Sequence, residues 1–261
     1  MLPKYGQGGV FLISLEKCGL DLKWSDEEEK LIVGESARSE AVDVRTDVQM
    51  RDVLMKPEGT IPNWFYHMYR DVARKVDYEK IIADDLKFCI TVWPAFKVAG
   101  EYNKTYGHFH SVIPGTDLEY PEVYEVISGK ARFIQQANDG SSFIVVDAEE
   151  GDKVVVPPSC GHVTVNTGNT TLITLDCSSR TSKSDYGPLR EKQGAMYYDT
   201  EKGFLKNDKY ENIPELEKDT PKLAKKLGLG SRCIYQEYLQ NHSVMDFLKR
   251  PQDFREQFKR D

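Results

Sequence analysis

Two of the chain's five histidines stand one residue apart in GHFHSVIPGTDLEYPEVYEVISGKARF, which runs from Gly107 to Phe133. In an extended segment residues i and i+2 point to one side, so His108 and His110 aim two imidazoles at one place. Glu122 opens the next apolar run twelve positions after His110, and a neighbouring strand there could bring its carboxylate to them. A third imidazole, His162, starts another strand-like run after the Pro157-Pro158 turn in GDKVVVPPSCGHVTVN. Converging imidazole nitrogens and a carboxylate oxygen are a ligand set for a divalent transition metal. A single histidine at a strand edge is more often a hydrogen-bonded surface group, and a single glutamate a solvated one. Metal binding therefore rests on the four together. Glu119 competes with Glu122 for the carboxylate position.

The elements that must position these groups are short. LKFCITVWP, YEVISGKARFIQQ, SSFIVVDAE, DKVVVPPS, HVTVNTG and TTLITLDC are rich in Val, Ile, Thr and Phe and are separated by turn residues. Such a series reads as a β-sandwich or barrel, with Asn138-Asp139-Gly140 as a hairpin turn. Before Leu86 the texture is mixed. The acidic run in WSDEEEKLIVGE reads as a solvated helix face behind a Ser-Asp cap, and Pro57, Gly59 and Pro62 break the next segment. Of the aromatic cluster there, Trp64 and Phe65 read as core, whereas Tyr66 and Tyr69 are free to face a ligand. From about residue 212 the chain is polar and Lys-rich, with Pro214, Pro221 and Pro251 limiting short helices. Three regions follow: an N-terminal extension (1–85) packing on a barrel core (86–190), and a largely helical C-terminal extension (191–261).

The balance of 35 Lys and Arg against 42 Asp and Glu gives a net charge of −7 in 261 residues. A mildly acidic chain without a broad cationic surface is expected to bind no nucleic acid. No run of twenty apolar residues predicts a membrane span, and the Val10 to Leu15 patch lacks the length and cleavage pattern of a signal peptide. Five scattered cysteines without a CxxC pair read as reduced thiols of a cytoplasmic protein.

The spacing around the histidines resembles the two cupin motifs. Glu122 is followed by six residues and Gly129, Gly151 by five residues and Pro157, and His162 by three residues and Asn166. The His110-to-Glu122 gap is longer than the motif's, Ser159 replaces its second-motif glycine, and Tyr102 replaces its opening glycine. The long gap reads as a loop, SVIPGTDLEYP, turning at Pro114-Gly115. The resemblance implies a mainly β cupin barrel, a double-stranded β-helix or jelly roll, with helical N- and C-terminal extensions. It favours Glu122 over Glu119, because Glu122 alone keeps the motif distance to Gly129.

Within that superfamily, the ordered series ITVWP, KTYGHFH, PEVYEVISGKARFIQQ, PPSCGHVTVN and SDYG is similar to the cupin-type glucose-6-phosphate isomerases of archaea and some bacteria. The similarity covers roughly residues 64 to 190. It implies metal ligation by His108, His110, Glu122 and His162, and a sugar-phosphate site lined by Tyr66, Thr91, Thr105, Gly107 and Tyr186. Where the family often has a histidine before Asp-Tyr-Gly, this chain has Ser184, and Arg180 or Lys183 could join the phosphate grip. The implied reaction interconverts glucose 6-phosphate and fructose 6-phosphate, with Glu122 as the first candidate for moving the proton and Tyr124, on the same strand face, as a helper. The implied cofactor is Fe2+, with Mn2+, Ni2+, Co2+ or Zn2+ as alternatives, and the implied assembly is a homodimer. Two rival readings share the barrel: an iron dioxygenase and a non-catalytic sugar-phosphate-binding cupin.

Overall fold

The computed structural model describes residues 12–58 and 61–259. The start of the Val10 to Leu15 patch and the Gly59 break lie outside the described residues. Two sheets form the barrel, antiparallel except at one edge of the smaller. The larger has six strands in the order Lys153–Val156, Glu122–Ser128, Leu172–Ser179, Leu86–Trp93, Trp64–Tyr69 and Asp43–Thr46. The smaller runs Cys160–Asn166, Lys130–Ala137, Phe143–Glu149 and Leu216–Asp219. A two-residue ribbon, Phe109–His110 with Ser184–Asp185, and a bridge between His108 and His162 tie the histidine segment to this frame. The fold is the cupin double-stranded β-helix expected from the motifs.

Alternation explains how one strand serves two surroundings. In Leu86–Trp93 the odd positions Lys87, Cys89, Thr91 and Trp93 face the barrel interior. The even positions Leu86, Phe88, Ile90 and Val92 belong to a fully buried cluster on the outer face. A β-strand can be apolar on its outward face only where something covers it. Here the cover is the sheet Leu12–Ser14, Leu22–Ser25, Lys30–Val33 on one side and the C-terminal helices on the other. Tyr235 and Tyr238 of helix Ile234–Gln240 pack their rings 5.0 and 5.7 Å from that of Phe88. Their hydroxyls donate to Asp77 and Asp84, so no polar atom of either ring is stranded.

Several expectations are corrected. The acidic run is no helix: it turns the chain between strands Leu22–Ser25 and Lys30–Val33. Trp24 and Leu31 on those strands are buried, and that apolar anchorage outweighs the cap-like Ser-Asp signal. The N-terminal extension is accordingly built largely of strands. Nor does the barrel begin at residue 86, since Asp43–Thr46 and Trp64–Tyr69 extend its larger sheet. Tyr69 faces outward and accepts a hydrogen bond from the Leu31 amide at 3.0 Å, which leaves Tyr66 alone of the pair toward the interior. The C-terminal region is helical only in part. Tyr197–Thr200 pairs with Gly203–Lys206, and the polar segment Leu216–Asp219 covers a sheet edge parallel to Phe143–Glu149. Unpaired edge amides recruit that segment despite its weak strand propensity.

The cysteine expectation is also overturned. Cys18 and Cys233 form a disulfide across 215 residues, clamping the N-terminal segment to the C-terminal helix. Scattered spacing carries no sign of such a pair, because only packing makes the two neighbours. Cys89 and Cys177 are buried without a disulfide. The hairpin at Asn138-Asp139-Gly140 and the turn at Pro114-Gly115 form as read. Among the described residues no helix is long and apolar enough to cross a membrane.

Candidate active site

His108, His110, Glu122 and His162 reach one point from three places. The first two flank Phe109, Glu122 opens its strand in the larger sheet, and His162 lies in the smaller sheet. One ligand atom from each lies within 4.8 Å of the others. The Nε2 atoms of His108 and His110 are 3.1 Å apart. Glu122 Oε2 stands 3.4 Å from His110 Nε2 and 3.2 Å from His162 Nε2. The Nδ1 of His110 donates to the Tyr120 carbonyl at 2.7 Å, which turns the lone pair of Nε2 toward the cluster. Burial, then the neighbouring imidazoles, holds His108 well below the ordinary histidine range, and burial first also lowers His162. Burial alone would raise the Glu122 carboxyl, but hydrogen bonds and charge from His110 and His162 together hold it well below the usual range. Neutral imidazoles beside an ionised carboxylate are the protonation states that metal binding requires. The donor chemistry and spacing fit a divalent metal. Glu119, the competing carboxylate, is not in the cluster. It accepts a hydrogen bond from the Asn138 amide at 2.9 Å on the other side of His110.

The cluster opens into a cavity of about 70 Å³. The four candidate ligands, Tyr124, Tyr66, Thr91, Thr105, Gly107 and Tyr186 all line it. Tyr124 donates its hydroxyl hydrogen to Glu122 Oε2 at 2.9 Å, and His162 Nε2 lies 3.0 Å from the tyrosine oxygen. Burial, then the Glu122 charge, keeps the phenol protonated far above its ordinary range. Thr105 accepts from the Thr164 amide at 3.0 Å, so its O–H remains to donate. Gly107 takes a φ of +78°, and a Cβ there would lie 2.5 Å from Val163 and 2.9 Å from the His162 carbonyl. Only glycine lets the histidine segment press this close. Thr164 Oγ1 and Trp93 Nε1 line the same wall, buried without a protein partner and available to a polar ligand.

The structure adds residues that sequence reasoning passed over. Asp176 pairs in register with Tyr124 and hydrogen-bonds Glu122. Burial, then the Glu122 charge, raises its carboxyl well above the ordinary range, so the proton of this carboxyl pair sits on Asp176. Arg45 lies 5.3 to 5.6 Å from the ring centroids of Tyr66, Tyr106 and Tyr186. Lys87, Arg70, Ser178 and Ser182 also line the cavity. Strand alternation through Thr91 was a signal for Lys87, four positions back on the same face. Arg45 had none, because its strand lies outside the stretch read as barrel. Arg180 is committed to an ion pair with Asp71, and Lys183 lines the separate cleft beside Glu119.

A family model described as glucose-6-phosphate isomerase (GPI) matches residues 46–215. The chain is 35% identical over 138 residues to the glucose-6-phosphate isomerase of Thermococcus litoralis, covering 53% of this chain and 64% of that protein. With the enzyme of the same name from Pyrococcus furiosus it shares 34% identity over 122 residues, 47% of this chain and 61% of that one. These matches span less than two thirds of each relative's own length. Among solved structures, oxalate decarboxylase from Bacillus subtilis aligns at 22% identity and a TM-score of 0.34, over 46% of this chain and 27% of that one. The family match covers most of this chain, including every ligand of the cluster and both sheets except their edge strands Asp43–Thr46 and Leu216–Asp219, and the protein belongs to the glucose-6-phosphate isomerase family in its cupin form.

Proposed function

We propose that the protein is a metal-dependent aldose–ketose isomerase that interconverts glucose 6-phosphate and fructose 6-phosphate. One observation carries the reading: a single cavity joins a His3Glu cluster to a wall of hydroxyl and backbone N–H donors suited to a phosphate. His108, His110, Glu122 and His162 hold the metal. When bound, the metal supplies Lewis acidity that polarises a carbonyl and stabilises charge on oxygen. The family resemblance supports Fe2+, and the mixed nitrogen and oxygen donors also accept Mn2+, Ni2+, Co2+ or Zn2+.

Tyr66, Thr91, Thr105, Gly107 and Tyr186 bind the phosphate and so orient the open-chain sugar with C1 and C2 toward the cluster. Glu122 moves the proton between C2 and C1. Tyr124 steadies the Glu122 carboxylate through its 2.9 Å hydrogen bond and holds the unused lone pair away from solvent. Asp176, protonated beside it, keeps the carboxylate pair at a single negative charge. An ionic substrate that does not cross membranes supports a cytoplasmic site of action, and the family resemblance supports a homodimer.

The test is fructose 6-phosphate turnover by protein stripped with a chelator and resupplied with single metals. Glucose 6-phosphate should form, vanish on stripping and return with metal. A remetallated protein that binds one equivalent of metal yet leaves the sugar unchanged would sink the reading, and oxygen uptake would then be measured. Proton transfer through Glu122 predicts that solvent deuterium appears at C2 of the aldose. Product free of deuterium would point to a hydride shift instead.

A further inference from the structure

Strand Leu86–Trp93 carries a cation on its inward face as well as Thr91. Its register sets Lys87 opposite Ser178, and Ser178 opposite Glu122, so the three side chains share one transverse row. Adjacent strands lie ~4.8 Å apart, which places the Lys87 backbone roughly 10 Å from that of Glu122. A four-carbon stem closes much of that gap. Thr91, by contrast, is four residues further along, ~13 Å away. Lys87 therefore belongs to the end of the cavity where the cluster sits and not to the phosphate end. Its ammonium is half-buried and has no hydrogen bond or ion pair among the described residues. Of the other cations nearby, Arg70 donates to Asp43 at 2.9 Å, Arg180 pairs with Asp71, and Arg45 lies against the rings of Tyr66 and Tyr186.

We infer that Lys87 contacts the C1–C2 end of the sugar phosphate and donates a charge-assisted hydrogen bond to the oxygen that becomes anionic during isomerisation. This deepens the isomerase reading and rests on it. When the C2 proton of the aldose leaves for Glu122, the C–H electron pair becomes the C1–C2 double bond and the carbonyl π pair moves onto O1. The hydroxyl proton then passes from O2 to O1, and return of the first proton from Glu122 to C1 leaves the carbonyl at C2. Lys87 keeps its own proton throughout and acts on the charge that appears at O1. Such a donor, fixed before the charge develops, lowers the barrier without reorganising.

The experiment compares metal-loaded wild type, Lys87→Gln and Lys87→Arg. Turnover is read beside the affinities of two probes: inorganic phosphate, and a five-carbon aldonic acid 5-phosphate whose carboxylate imitates the anionic intermediate. Metal content and thermal midpoint establish that each variant is folded and loaded. Lys87→Gln should lower kcat by about 10²-fold and weaken the aldonate at least tenfold, leaving inorganic phosphate within twofold. Lys87→Arg should recover part of both losses. Turnover of Lys87→Gln within threefold of wild type would overturn the inference, as would a loss that falls on inorganic phosphate and spares the aldonate. If wild type itself fails to turn over, the isomerase reading falls, while the two binding comparisons still decide what Lys87 contacts.

Discussion

The two faces of the six-stranded sheet differ in nearly everything except backbone. The inner face of Leu86–Trp93 and its neighbours presents Lys87, Thr91, Asp176, Glu122 and Tyr124 to a polar cavity. The outer face of the same strands presents Phe88, Ile90, Val123 and Leu175 to a dry cluster closed by both termini. Side chains one residue apart on these strands thus have different tasks. Inner residues leave polar atoms available to a ligand, and the stability forgone there is supplied by the outer face. The terminal regions, which lack any ligand of the cluster, consequently hold the site by holding the sheet.

That contrast can be broken from either side. The largest effect belongs to the inner face. His162→Ala should abolish stoichiometric metal binding and cost about 10³-fold in turnover, ~4 kcal/mol of barrier. Metal analysis beside initial rates checks this, and retention of both would remove His162 from the site. On the outer face, Phe88→Ala leaves a hole beneath Tyr235 and Tyr238 and should cost about 3–5 kcal/mol of stability. Denaturant titration should show that loss, while kcat/KM of the folded fraction stays within threefold.

Reducing the Cys18–Cys233 bond should cost about 2–5 kcal/mol, lowering the thermal midpoint without changing turnover at 25 °C. An unchanged midpoint after verified reduction would mean that the termini hold the sheet by packing alone. The smallest effect sharpens the electrostatics. His108 and His162 titrate lower in the fold than the ordinary imidazole near 6.5, so the unfolded chain binds more protons there. The stability of metal-stripped protein should hold above that pH and fall progressively as pH drops below it. A flat profile between pH 7 and 5 would contradict buried, neutral imidazoles.

What was legible in the sequence followed from local rules. His108 and His110 share a strand face because they are two residues apart, and Glu122 keeps its motif distance to Gly129. The cavity wall was legible wherever a residue sat inside a motif, as Thr105 and Gly107 do. Lys87, Asp176 and Arg45 sit outside the motifs, and their nearness to the cluster depends on which strands become neighbours. The acidic run was misread because its charges are local while the burial of Trp24 and Leu31 that decides it is not.

By itself the sequence determined that the middle of the chain is a series of short strands, their order along the chain and the shared face of His108 and His110, since alternation, turn residues and short spacings act over a few residues. Only the tertiary structure decided that Asp43–Thr46 and Trp64–Tyr69 extend the barrel, that Cys18 meets Cys233, and that Glu119 stands apart from the cluster. Those outcomes depend on contacts between segments far apart in the chain. Which of them form is settled by the apolar area and backbone hydrogen bonds that the whole assembly can bury at once.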